Sequence, residues 1–174
     1  MKTRSTLSFV AALCLVASCT TQVDNNPTYD ANLEVAKNFL AAHGAEDIAA
    51  QTEMLHDSLI WQPPMYGAEK CGKAEQIKSL MMYQTLFDNI LFTPDYWLPG
   101  VLAETGELDG SVRTYGSWTG THAETGKDFN LHSYHTFDFV DGKIKNGGDY
   151  FDFGGFLASF QEEAPAVEEE ASAE

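Results

Sequence analysis

Positive charge is scarce in this 174-residue chain. Ten Lys and Arg stand against 26 Asp and Glu, a formal net charge of -16 at pH 7. So acidic a chain repels phosphate backbones and anionic lipid surfaces, which disfavours nucleic acid as a partner and charge-driven membrane binding. Cysteine is scarce too: Cys14, Cys19 and Cys71 are the only three, and none has the Cys/His spacing of a zinc site. No glycine-rich phosphate loop precedes a helix, since Gly147-Gly148 lies inside a strand pattern. No Gly-x-Ser-x-Gly elbow is present either. Nothing in the sequence calls for a cofactor. What is present is globular: 44% hydrophobic and 12% aromatic residues exclude wholesale disorder, and the length suits one domain.

The N-terminus reads as an export signal. Lys2 and Arg4 precede an apolar stretch from Leu7 to Ala17, which is too short for the roughly 20 residues that cross a bilayer. Leu15-Val16-Ala17-Ser18-Cys19 follows and resembles a bacterial lipobox. The resemblance implies a signal peptide over 1–18, acylation of Cys19, and a chain held to a bacterial envelope membrane through its lipid anchor only. Thr20, where an Asp would favour inner-membrane retention in enteric-type sorting, leans the placement toward the outer membrane. Cys14 is lost with the signal, so Cys71 is left alone without a disulfide partner. Residues 19–29 then read as a polar tether. Residues 30–160 form the domain, and 161–174, with six Glu and no basic residue, a solvated acidic tail.

Within the domain, Asp30 is a plausible N-cap for a helix carrying Leu33, Ala36, Phe39, Leu40 and His43, with Gly44 ending it. A second helix is expected over 46–55, and a strand over His56–Gln62 stopped by Pro63-Pro64. A third helix is expected over Lys73–Asp88, with Ile77, Leu80, Met81 and Gln84 as its stripe. Strands are expected over 91–104 (an edge or irregular segment, broken by Pro94 and Pro99), 111–121, 128–140 and 143–153, with a short helix over 155–160. Asp109-Gly110, Thr125-Gly126 and Asp141-Gly142 supply turns. Helices followed by a strand meander make an α+β domain.

Four passages carry a family resemblance: the helix pair leading into Leu55-His56-Asp57-Ser58-Leu59-Ile60-Trp61, then Gly72–Ile77, Gly116–His122, and Phe137–Ile144 followed by Asp149–Asp152. In this order they are similar to the SnoaL-like branch of the NTF2-like proteins. The resemblance implies a cone, with N-terminal helices packed on a curved antiparallel sheet and a short C-terminal helix. That family hosts cyclases, isomerases, hydratases, epoxide hydrolases and non-catalytic binders, so the fold leaves function open. Its sheets often pair through their outer faces, which makes a homodimer a possible assembly.

Candidate chemistry is sorted by strand alternation. Phe129, Leu131, Ser133, His135, Phe137 and Phe139 share one face. His135 is therefore either a satisfied core histidine or a pocket base. Asp149 shares parity with Phe151 and Phe153, so it is either a desolvated acid–base carboxylate or a structural one that caps a strand end or pairs with Arg113. Arg113 itself is either an anion clamp or half of a structural ion pair. In relatives resembling ketosteroid isomerase a general-base Asp often precedes a Pro at the end of the first strand. Here Gln62 stands there, and alternation does not decide whether His56 or Asp57 turns inward. Trp61, Tyr66, Tyr83, Phe87, Trp97, Trp118 and Phe137 are candidates to line an apolar pocket. His132 and His135 fall on opposite faces, against a metal site with His122. Three readings result: a binder of a small, mostly apolar molecule, an acid–base enzyme using Asp149 or His135, or a dimeric scaffold.

Overall fold

Residues 26–161 are described by the structure, a computed structural model. The expected signal peptide, Cys19, Thr20 and the expected tail beyond Gln161 lie outside them. Helix α1 (Pro27–Gly44) leads through α2 (Ile48–Met54) into strand β1 (Leu55–Gln62), followed by α3 (Lys73–Leu86). Strands β2 (Phe87–Val101), β3 (Leu108–His122), β4 (Asp128–Val140) and β5 (Lys143–Tyr150) follow, then α4 (Phe153–Ala158).

The sheet runs β1-β5-β4-β3-β2 and stays unclosed. The β2–β3, β3–β4 and β4–β5 pairs are antiparallel, whereas β1 joins β5 in parallel. Sequence alternation predicts the antiparallel meander but carries no sign of that parallel pair, which joins strands more than 80 residues apart. Register shifts interrupt β2–β3 at three places and β4–β5 at Asp138/Phe139. Such bulges bend and twist a sheet, and here they curve it around the helices. The architecture is the α+β cone with an antiparallel-dominated sheet.

Local chemistry explains where the elements differ from expectation. Asn26, not Asp30, caps α1: its side chain accepts the Tyr29 N–H at 3.0 Å. The helix therefore begins inside the stretch expected to be tether. Asp47 caps α2 by accepting the Ala50 N–H at 2.9 Å, one residue past the expected start. Gly44 is the last residue of α1, not a left-handed stop. A Cβ there would sit 2.5 Å from the Ile90 carbonyl oxygen, so the glycine lets α1 touch β2. Asp109-Gly110 lies within β3, with Gly110 at φ 77°. The β2–β3 reversal falls instead at Thr105-Gly106, where Gly106 takes φ 73°. Asp141 and Gly142 both have positive φ, as a two-residue type I′ hairpin turn requires. β2 runs as a 15-residue strand at the edge of the sheet, with register shifts beside Pro94 and Pro99, as the edge or irregular segment expected there. It tolerates Pro94 and Pro99 because it pairs on one side only.

The core gathers between the helices and the inner sheet face. Phe39, Trp61 and Phe137 form a triangle with each pair of ring centres 6.1 Å apart. All three are at most 2% exposed. Trp61 reaches this position by lying across Gly147 on the neighbouring strand. A Cβ at Gly147 would collide with the indole and stand 2.9 Å from the Thr136 carbonyl oxygen. Gly147→Ala is accordingly expected to lower stability by about 1–3 kcal/mol through overpacking. Urea unfolding followed by tryptophan fluorescence measures this. An unchanged midpoint would show that the indole has room to shift.

Candidate functional site

His135 and Asp149 face each other directly in the β4–β5 register. Cross-strand neighbours are close enough for their side chains to meet. His135 Nδ1 lies 2.8 Å from Asp149 Oδ1. On the other side of the ring, the Trp118 indole N–H donates to His135 Nε2 at 2.9 Å. An indole nitrogen only donates, so Nε2 is an acceptor and the proton of the neutral ring is on Nδ1. The Ser133 hydroxyl also lies 2.9 Å from Nε2. The remaining carboxylate oxygen, Asp149 Oδ2, accepts the Trp61 indole N–H at 2.9 Å. The result is a chain Trp118–His135–Asp149–Trp61 that ties β3, β4, β5 and β1 together. His135 is 3% exposed. The Asp149 side chain keeps 16% of its surface, and that surface opens on a cavity.

The cavity holds about 70 Å³. This is well below the roughly 300–1,000 Å³ of sites for drug-sized ligands and below the roughly 150 Å³ of a cavity that holds benzene, so a single small ring enters only as the walls give. The sheet contributes Trp61, Trp118, Phe129, Leu131, His135 and Asp149, and Phe87, Phe151 and Phe156 add aromatic wall. From the helices come Phe39, Leu40 and His43 of α1, Gln51 of α2, and Gln76, Leu80 and Tyr83 of α3. No Lys or Arg is on this wall among the described residues, and Asp149 is its one carboxylate.

Burial sets the state of the other polar groups. His43 is held down at about 4, first by burial and further by His135, with Gln51 and Asp149 offsetting part of the effect. It is uncharged at neutral pH. The Tyr83 phenol is pushed well above its ordinary value, mainly by burial and also by the charge of Asp149. It therefore remains an O–H donor. Its hydroxyl and the Gln76 amide make no hydrogen bond among the described residues.

The ten candidates are not brought together as a set. Trp61, Tyr83, Phe87, Trp118, His135 and Asp149 surround the cavity. Phe137 is fully buried behind it, against Phe39 and Trp61. Tyr66 is fully exposed on the loop after β1 and touches no cavity. Trp97 lines a separate surface groove between α1 and β2, packed on Phe92. Arg113 is no clamp for a ligand in the cone, nor a partner of Asp149. It pairs with Asp138 at 2.9 Å and donates to the Phe137 carbonyl at 3.2 Å, away from the cavity. Neither residue left open on β1 turns inward: Asp57 is exposed and paired with Lys73 at 3.0 Å, and the His56 ring accepts the Ser58 N–H. Gln62 donates to the Pro63 carbonyl at 3.0 Å and so secures the loop that follows. His132 bonds the exposed Ser117 hydroxyl, and His122 stacks on Phe160.

Sequence reasoning missed Gln76 and Gln51, and it placed His43 on the stripe of α1 with Phe39 and Leu40 without assigning it to the site. The α3 stripe reads as Ile77, Leu80, Met81 and Gln84, but Met81 and Met82 are exposed and the buried face is Gln76, Leu80 and Tyr83. The spacing i, i+4, i+7 was the available signal. A glutamine at its head argues against a core position unless something polar is to be met there.

No protein-family model matches the sequence, and no curated protein matches it significantly. Solved structures do share its shape. An NTF2-like protein of unknown function from Burkholderia pseudomallei superposes with a TM-score of 0.60 at 18% identity, covering 74% of this chain and 95% of that one. IdmH of Streptomyces antibioticus, a candidate polyketide cyclase, gives 0.61 at 16% identity over 73% and 96% of the two chains. An epoxide hydrolase of the LEH-like type from M. tuberculosis gives 0.55 at 19% identity over 71% and 84%. At these identities the likeness shows the fold, and this chain has the NTF2-like cone.

Proposed function

We propose that the protein is an acid–base enzyme acting on a small, uncharged, mostly apolar molecule held in the cone. One observation carries this: the cavity's one carboxylate, Asp149, is gripped by two N–H donors and faces a mostly apolar, aromatic space. His135 Nε2 is already occupied by Trp118, so Asp149 is the group with a lone pair free to take a substrate proton. His135 is then a positioning residue that donates Nδ1–H and fixes the carboxylate. Tyr83 supplies an O–H from the opposite wall, where it can hydrogen-bond an oxygen that gains charge as the proton leaves. A cyclase, isomerase or hydratase needs such proton transfer, and a candidate polyketide cyclase and an epoxide hydrolase share the fold.

The test is solvent exchange. Cyclohexanone incubated with the mature protein in D2O should lose its α-protons faster than in buffer, followed by 1H NMR. Exchange at the buffer rate while the ketone is demonstrably bound would leave the cone a non-catalytic binding site, the reading the same cavity supports without Asp149 chemistry.

We also propose that the chain is a bacterial envelope lipoprotein acylated at Cys19, supported by the Lys2/Arg4, apolar and Leu15–Cys19 sequence. Cys19→Ala should move the protein from the detergent-extracted membrane fraction to the soluble fraction and abolish labelling by a palmitate analogue. Retention of both would remove the lipid anchor.

A further inference from the structure

The Gln76 side chain has a place but no partner. It is 3% exposed and lies on the cavity wall. The other buried glutamine there, Gln51, is paired at both ends: it donates to the Phe39 carbonyl at 3.3 Å and accepts from Gln84 at 3.1 Å. No hydrogen bond reaches either end of the Gln76 amide among the described residues. Its amide atoms are open to the cavity, since Asp138 Oδ1 is the one fully occluded side-chain polar atom without a hydrogen-bond partner among the described residues, and Leu or Met would fill the same turn of α3 with no polar group facing that space.

We propose that Gln76 recognises an oxygen of the ligand, and that the site takes a small neutral molecule bearing a carbonyl or hydroxyl on an apolar ring. The amide can donate to a carbonyl and accept from a hydroxyl, so it serves both oxidation levels of such a compound. Neutrality follows from the wall. No Lys or Arg faces an anion, and Asp149 repels one. The ring would lie against Phe87, Trp118, Phe129 and Phe156. A site built to hydrogen-bond an oxygen discriminates strongly against the analogue that lacks it, because its own polar group is then stranded. The inference rests on the same cavity as the proton-transfer reading but needs no turnover.

The experiment compares two probes of one shape, cyclohexanone and methylenecyclohexane, binding to the mature chain. Shifts of the Trp61 and Trp118 indole N–H resonances report binding, and the same spectra report whether each variant is folded. In Gln76→Met the ratio of the two dissociation constants should move against the ketone by about tenfold or more. Gln76→Glu, which keeps acceptors at the position, serves as the second variant should the first not fold. It too should weaken the ketone selectively. An unchanged ratio in a folded variant overturns the proposal, as does failure of wild type to bind the ketone at millimolar concentration. Selective, Gln76-dependent ketone binding without deuterium exchange would overturn the enzyme reading and leave this one standing. Exchange that persists with an unchanged ratio does the reverse.

Discussion

Asp149→Asn is expected to slow deuterium exchange into cyclohexanone by about 10²–10⁴-fold, the usual contribution of a positioned general base. The substitution preserves shape and removes the basic lone pair. It also puts an NH2 group where an acceptor stood. One of its two neighbours, the Trp61 N–H or the His135 N–H, then meets a donor, because both oxygens of Asp149 accept now. His135 cannot relieve the conflict by moving its proton to Nε2, since the Trp118 N–H already points there. Some loss of stability should therefore accompany the loss of exchange, of the order of 1–3 kcal/mol for a stranded buried donor. His135→Gln separates the two effects. Its amide can still donate to the carboxylate, so it should keep far more exchange than Asp149→Asn at a similar unfolding midpoint. Exchange at the wild-type rate in a folded Asp149→Asn protein would remove Asp149 as the base.

The partition between what the sequence shows and what it hides is physical. Alternation along β4 is a local property, and Phe129, Leu131 and His135 do share the cavity face. Turn chemistry is local as well, hence the correct reversals at Thr125-Gly126 and Asp141-Gly142. Asp109-Gly110 misleads because the positive φ that a glycine gives a turn also serves a bulged strand: Gly110 takes it, but Asp109, unlike Asp141, does not. Pairing is not local. Parity says that Asp149 lies with Phe151, but only the β4–β5 register sets it opposite His135, and only the parallel β1–β5 pair brings the Trp61 indole to its second oxygen. Nor does spacing choose between Gln76 and Ile77 as the head of the buried face of α3, because 76, 80, 83 and 77, 80, 81, 84 are both helical stripes. The cone decides that when it sets which side of the helix meets the sheet.

The pH dependence of stability should carry a signature of His43. In the folded protein this histidine titrates at about 4, against 6.5 for the free side chain. Between those values the unfolded chain holds more protons than the folded one, so stability rises with pH across the window. The contribution is complete above the unfolded value of 6.5 and is lost progressively as pH falls toward about 4. At 1.36 kcal/mol per pH unit the whole span is worth about 3 kcal/mol. Gln51, Gln84, Tyr83 and Trp118 surround the ring, and Asp149 and His135 are the titratable groups that act on it across the cavity. His43→Phe keeps an aromatic ring against Trp118 and Tyr83 and removes the proton site. Urea midpoints of the two proteins across this pH window should diverge, with wild type losing stability toward acid faster than the variant. The many surface carboxylates titrate alike in both and cancel in the difference. Parallel profiles would mean that His43 charges as easily in the folded protein as in the unfolded one. The wall between α1 and the sheet would then have to admit water, and the dry, apolar space that makes Asp149 useful as a base would not exist.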